Sequence, residues 1–291
     1  MLRLITLHKT SQIGLRETNE DVEGYMINLT EDGYAQDARF APIDFFIICD
    51  GHGGHEVSRY ICPRVQKLMT NNNLKYPLDH DQILKIYDQV QNEIIHHPQQ
   101  IGNGCGSTCL VVVRYMNKNK ECVQVVNLGD CRTVLSRRGI AQPLSKDHKP
   151  IWPDEKKRIN EINKKYGTKQ KIHFDCGDFR ILDLSVSKSF GDLEAMPYLT
   201  HKPDNFYYTL KPFDEFIIIA CDGLWDVLQS HEAVNFVRDH YVNNDVKFYQ
   251  IQGYSPFDIK YQDNNIAKKL ADYAIARGST DNVSIMIVFL Q

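Results

Sequence analysis

The chain has 291 residues, of which 42% are hydrophobic, 10% aromatic and 24% charged, a make-up that excludes intrinsic disorder, collagen-like repeats and a disulfide miniprotein. Thirty-four basic against 37 acidic side chains leave a net charge of −3, without the basic excess of a dedicated nucleic-acid binder. No uninterrupted apolar run exceeds the six residues of Phe216–Cys221, far short of the ~20 that span a bilayer.

At the start of the chain, Arg3, His8 and Lys9 break up the hydrophobic residues, so no signal-peptide core forms, and Leu2 stands where myristoylation requires glycine. A soluble intracellular protein, cytoplasmic or nuclear, is the expectation. Six Val/Ile/Phe-rich segments predict strands: Phe45–Cys49, Leu110–Met116, Cys122–Asn127, Thr133–Ser136, Glu215–Cys221 and Val283–Leu290. The three within Leu110–Ser136 are joined by connections too short for a helical crossover, so that section reads as antiparallel. Helical periodicity covers Asp81–His96, with Ile83, Ile86, Val90 and Ile94 on one face, and Asn265–Arg277, with Gly278 as its cap. Pro153, Asp154 and Glu155 open another helix that closes with Lys164, Lys165 and Gly167; His231–Tyr241 reads as a fourth. Tyr166–Phe179 and Asn243–Asn264 read as long loops, and Gly102–Ser107 lacks the Gly-Lys-Ser/Thr ending of a phosphate-binding loop, so it reads as a strand-leading turn. Without regular βαβ alternation or a dividing linker, a single domain over residues 1–291 is expected, with an antiparallel core and helices packed on it.

The chemistry is concentrated where strands end. Phe45–Cys49 runs into Asp50-Gly51, and Phe216–Cys221 runs into Asp222-Gly223. A carboxylate at the mouth of a buried strand is costly unless a cation receives it, and the glycine lets backbone approach a ligand. Gly129-Asp130 follows a third strand and Asp281-Asn282 precedes the last, so four carboxylates are candidates for one rim. Any one Asp-Gly is as readily a simple turn; four together are not. Oxygen donors without Cys-x-x-Cys or spaced His pairs favour Mg²⁺ or Mn²⁺ over zinc, and such ions suit attack on phosphate esters. Arg16 beside Glu20 and Asp21 offers a cation for a phosphate oxygen, and His52, flanked by glycines, is a candidate acid. The eight cysteines form no metal or redox motif and read as buried thiols.

These blocks resemble the metal-dependent protein phosphatases of the 2C type. The resemblance rests on Arg16 with Asn19-Glu20-Asp21, Asp50-Gly51-His52-Gly53-Gly54, Gly106-Ser107-Thr108 and Leu128-Gly129-Asp130-Cys131-Arg132, continuing through Asp147-His148-Lys149-Pro150, Ser187 to Asp192, Ala220 to Asp226, and Ser279-Thr280-Asp281-Asn282. It implies an α+β fold, a β-sandwich of two antiparallel sheets flanked by helical layers, and a phosphoserine/phosphothreonine phosphatase with two Mg²⁺ or Mn²⁺ ions. By position, Asp50 would bridge the ions, the Gly51 carbonyl would bind one, and Asp222 with Asp281 the other. Glu20 and Asp21 would support them; Asp130, Asp222 and Asp226 would make a weaker third site. Arg16 would grip the phosphate, His52 would act as general acid, and a metal-bridging water would attack phosphorus. Lys188 stands where the family commonly has Arg, and Arg180–Leu184 where it has Arg-Val-Asn-Gly, which bears on substrate choice. The implied partners are phosphoproteins, with no nucleic acid and no membrane, and the protein a monomer. The competing readings are an inactive phosphatase-fold scaffold, against which the intact aspartates speak, and a metal-dependent nuclease, against which the charge balance speaks.

Overall fold

The computed structural model describes residues 2–3, 5–27, 43–71, 73–242 and 265–290. The strands in chain order are β1 (Ile5–Gln12), β2 (Val22–Ile27), β3 (Ile43–Cys49), β4 (Gly51–His52), β5 (Gly106–Ser107), β6 (Cys109–Asn117), β7 (Lys120–Leu128), β8 (Arg132–Arg137), β9 (Ile140–Pro143), β10 (His173–Asp175), β11 (Asp178–Arg180), β12 (Phe190–Gly191), β13 (Asp204–Thr209), β14 (Asp214–Ala220) and β15 (Val283–Leu290). The α-helices are α1 (Glu56–Met69), α2 (His80–Ile95), α3 (Pro153–Tyr166), α4 (Asp222–Trp225), α5 (Ser230–Val237) and α6 (Ile266–Ala276). Two compact units divide them: Glu20–Arg132 with Ser145–Leu210, and Arg3–Asn19 with Thr133–Leu144 and Lys211–Gln291.

The first unit is built on a five-stranded antiparallel sheet in the order β13-β7-β6-β3-β2. Along β3, Phe45, Ile47 and Cys49 share a core with Val57, Ile61 and Val65 of α1 and Ile83, Val90 and Ile94 of α2. Phe46 and Ile48, which point the other way, are buried as well. Burial on both faces explains why this strand is a continuous apolar run rather than an alternating one. Asp79 caps α2 by accepting from the Gln82 amide while the Gln82 side chain accepts from the Asp79 amide, a reciprocal capping box. Within the same sheet Arg114 is fully enclosed and donates to Asp44 at 2.8 Å and Glu121 at 2.5 Å, so its buried charge is matched. A smaller sheet, β12-β5-β4, lies beside it in sequence terms only by two-residue strands, yet it carries His52.

The second unit has the sheet order β1-β15-β14-β8-β9. Phe216, Ile218 and Ala220 of β14 and Ile285, Ile287 and Phe289 of β15 pack with Val234 of α5 and Ala267, Leu270 and Ala274 of α6. Thus Thr133–Ser136 does not continue the sheet of the two preceding strands: the hairpin β6-β7 is antiparallel as expected, but β8 belongs to the other sheet, where it pairs with β9. The expected loop Tyr166–Phe179 contains the hairpin strand β10 and most of β11, while the expected loop Asn243–Asn264 lies outside the described residues. None of the eight cysteines forms a disulfide; Cys176, in the β10-β11 turn, is exposed and the others are buried. No helix among the described residues is long and apolar enough to cross a membrane.

Candidate active site

In the first unit, Asp50 follows directly on β3, and Thr108 fixes the backbone there from both sides. The Asp50 amide donates to Thr108 Oγ1 at 3.0 Å, and the Thr108 amide donates to the Asp50 carbonyl at 2.8 Å. Gly51 must lack a side chain: a Cβ there would lie 2.6 Å from the Glu20 carbonyl oxygen. That carbonyl also accepts from Ser58 Oγ of α1 at 2.6 Å, so the Glu20-Asp21 segment is held against the Asp50-Gly51 turn. Asp21 and Asp50 present carboxylate oxygens within 4.8 Å of each other.

Asp130 follows β7 and is 1% exposed. The turn before it is braced by His148, whose Nδ1 accepts from the Gly129 amide at 3.0 Å and whose own amide donates to the Gly129 carbonyl at 2.9 Å. Lys149 Nζ then pairs with Asp130 at 2.6 Å and with Asp178 of β11 at 2.9 Å. These contacts give the Asp-His-Lys-Pro and Gly-Ser-Thr blocks physical work that the sequence reading left without a role. Neither shows as periodicity or charge spacing, because each acts through backbone contacts or one long side chain.

The charges are felt by their neighbours. Burial pushes the Cys131 thiol well up, and the carboxylates of Asp50, Asp130 and Asp21 push it further, against a lowering bond from Thr108. Cys131 therefore stays a protonated thiol. Burial alone would lower the His52 pKa, but the hydrogen bond and charge of Asp192, with the charges of Asp130 and Glu20, leave it raised. His52 Nε2 lies 2.8 and 3.0 Å from the two Asp192 carboxylate oxygens.

In the second unit, β14 delivers Asp222 as the first residue of α4, and Asp226 follows one turn later, its amide donating to the Asp222 carbonyl at 2.8 Å. Ser279 Oγ donates to the Gly223 carbonyl at 2.7 Å, fastening this turn to the loop that leads to Asp281. Asn282 side-chain Nδ2 donates to the carbonyls of Ile13 and Thr18 at 2.9 Å each, which sets the Arg16 loop beside Asp281. Arg16 donates to the Asp281 carboxylate at 2.7 Å and is 57% exposed. The expected site residues thus sort by unit: Glu20, Asp21, Asp50, Gly51, His52 and Asp130 in the first, Arg16, Asp222, Asp226 and Asp281 in the second. Lys188, one of the departures from the family pattern, is buried and pairs with Asp204 at 2.7 Å, a structural contact at the start of β13.

The Asp21 and Asp50 carboxylates offer oxygen donors within 4.8 Å of each other, which fit a hard divalent cation. Comparison with known proteins agrees with this chemistry. A PP2C-like domain-containing protein of Acanthamoeba polyphaga mimivirus is 62% identical over 175 residues, which make up 60% of this chain and 98% of that protein. Protein phosphatase 2C homolog 2 of Schizosaccharomyces pombe is 31% identical over 237 residues, covering 77% of this chain and 59% of its own length. Probable protein phosphatase 2C 32 of rice is 29% identical over 255 residues, covering 86% of this chain and 58% of its own, so the chain spans less than two thirds of these last two relatives. Among solved structures, a serine-threonine phosphatase 2C from Toxoplasma gondii matches with a TM-score of 0.72 at 20% identity, over 100% of this chain and 96% of that one. A C. elegans sex determining protein matches at 0.74 and 20% identity, over 99% of this chain and 65% of that one. These likenesses show the α+β fold of the 2C-type phosphatases. The family model described as Protein phosphatase 2C matches residues 10–283, nearly the whole chain, and the protein belongs to that family.

Proposed function

We propose that the protein is a Mg²⁺- or Mn²⁺-dependent phosphatase that hydrolyses phosphoserine and phosphothreonine in proteins by direct transfer of the phosphoryl group to water, without a phosphoenzyme. The observation that carries this reading is the meeting of the Asp21 and Asp50 carboxylates, whose oxygens lie within 4.8 Å of each other at the end of a buried strand, an oxygen-donor environment suited to hard cations. The family positions assign Asp50 and the Gly51 carbonyl, with Asp222 and Asp281, to two ions, Glu20 and Asp21 to their support, and Asp130, Asp222 and Asp226 to a weaker third. Bound there, such ions supply an acidified water and neutralise charge developing on the phosphoryl oxygens.

The remaining work falls to the chain's own side chains. Arg16, largely exposed, has a guanidinium that can present parallel donors to two phosphate oxygens. His52 donates a proton to the oxygen that leaves phosphorus, which a serine or threonine alkoxide needs in order to depart. The test is release of phosphate from a phosphothreonine peptide by protein stripped with EDTA and then given Mn²⁺. Activity is expected to vanish with chelator and to return with metal. Full activity in chelator would overturn the metal requirement, and tight peptide binding without turnover would favour the scaffold reading.

A further inference from the structure

The Ser187–Asp192 block is part of the family pattern but has no part in the function described above. Its last residue makes the closest polar contact that His52 has. Asp192 is 5% exposed, and both of its carboxylate oxygens face Nε2 of His52. The small sheet explains how two residues 140 positions apart meet. His52 on β4 pairs across from Gly106 on β5, and Gly191 on β12 pairs with the same Gly106 from the other side. Gly106 leaves the gap in which the two side chains touch: a Cβ there would sit 2.5 Å from the Asp192 Cγ and closer still to its Oδ2 and to His52 Nε2.

Asp192 is also held from behind. Its amide donates to the Cys105 carbonyl at 3.0 Å, its carbonyl accepts from the Ala195 amide at 2.9 Å, and Ser189 Oγ donates to its Oδ2. Its backbone takes the left-handed conformation, φ +47°, which aspartate tolerates better than most residues. A carboxylate that is buried, gripped by a serine and aimed at one imidazole nitrogen has the arrangement of an orienting partner.

We propose that Asp192 is the positioning residue of His52: by accepting the Nε2 proton it fixes the ring and leaves Nδ1 to carry the proton delivered to substrate. This rests on the reading that His52 is the general acid. In the step, the phosphorus–oxygen bond to the serine or threonine breaks, its electron pair goes to that oxygen, and the oxygen takes the Nδ1 proton. The attacking water forms the new phosphorus–oxygen bond, and the proton it gives up returns the ring to its charged form through solvent.

The experiment compares the full chain with Asp192→Asn, His52→Gln and the double variant, in Mn²⁺, on a phosphothreonine peptide and on p-nitrophenyl phosphate. General acids contribute about 10²–10⁴-fold. Asp192→Asn is expected to lower kcat on the peptide at least ~10-fold and on the aryl phosphate only about 2-fold, and the double variant to be no worse than His52→Gln. Long-range ¹H–¹⁵N NMR of His52, recorded at a pH where the ring is neutral and needing no turnover, is expected to show Nε2 protonated in the native protein and a tautomer mixture in Asp192→Asn. Equal losses on both substrates, an additive double variant or an unchanged tautomer would overturn the proposal. If His52→Gln itself shows no difference between the substrates, the acid assignment and this proposal fail while the phosphatase reading stands. If the native protein hydrolyses neither substrate, the phosphatase reading fails and the NMR result alone decides the orienting contact.

Discussion

Gly106→Ala wedges a methyl group between His52 and Asp192 while leaving both residues in the sequence. The added Cβ would stand 2.5 Å from the Asp192 Cγ and closer still to His52 Nε2, where ordinary contacts begin at 3.4 Å, so the carboxylate and the imidazole must part by about 1 Å. Added to the present 2.8 Å, that separation carries the pair beyond hydrogen-bonding distance. The atoms in the way are side-chain ends, so the fold yields at modest cost, about 1–2 kcal/mol by analogy with overpacked sites, or a few degrees in Tm. The chemistry should suffer more: a roughly 10- to 100-fold lower kcat on a phosphothreonine peptide, with p-nitrophenyl phosphate turnover changed by about 3-fold or less. Steady-state kinetics on both substrates alongside a thermal melt reads both effects. Native-like kinetics on the peptide, or equal losses on the two substrates, would mean that the contact does not serve the acid.

Arg114→Leu should cost about 3–5 kcal/mol in urea unfolding, because Asp44 is left buried without its cation; a loss below 1 kcal/mol would mean that Asp44 finds another partner or becomes protonated cheaply. Arg64 bonds Glu93 at 2.5–2.7 Å and, outweighing the raising effect of burial, holds its pKa down to about 2 from 4.5. A lowered acid pKa stabilises the fold above the unfolded value and loses that contribution as pH falls from about 4.5 through 2, so the gap in stability between the native protein and Arg64→Ala, about 1 kcal/mol at this partly exposed pair, should close over that window. A gap that is constant with pH would contradict the assignment. Arg16→Ala should raise KM more than it lowers kcat, and unchanged kinetics would return Arg16 to a simple ion pair with Asp281.

How much the sequence disclosed follows from burial. All six expected strands are interior strands of the two large sheets, β3, β6, β7, β8, β14 and β15. The four edge strands, β1, β2, β9 and β13, went unread, since residues such as those of Val22–Ile27 and Asp204–Thr209 are half-buried and give no continuous apolar run. Helix α1 was hidden by Pro63 in its interior and by His55 at its start, which makes no side-chain cap. Asp50 and Asp222 were legible because each ends an apolar strand. Asp192 was not, for its meaning depends on a two-residue sheet that pairs positions far apart in sequence. Sheet membership was equally beyond reach: the short turn before Thr133 gives no sign that β8 leaves the sheet of β7.

The proposed function requires that the carboxylates at these strand ends hold metal ions. Calorimetric titration of Mn²⁺ into the EDTA-stripped protein and into Asp50→Asn tests it most directly, with a thermal melt to show that both are folded. Two tightly bound ions are expected in the native protein and a loss of tight binding in the variant. No tight binding in the native protein, or identical titrations for the two, would contradict the account.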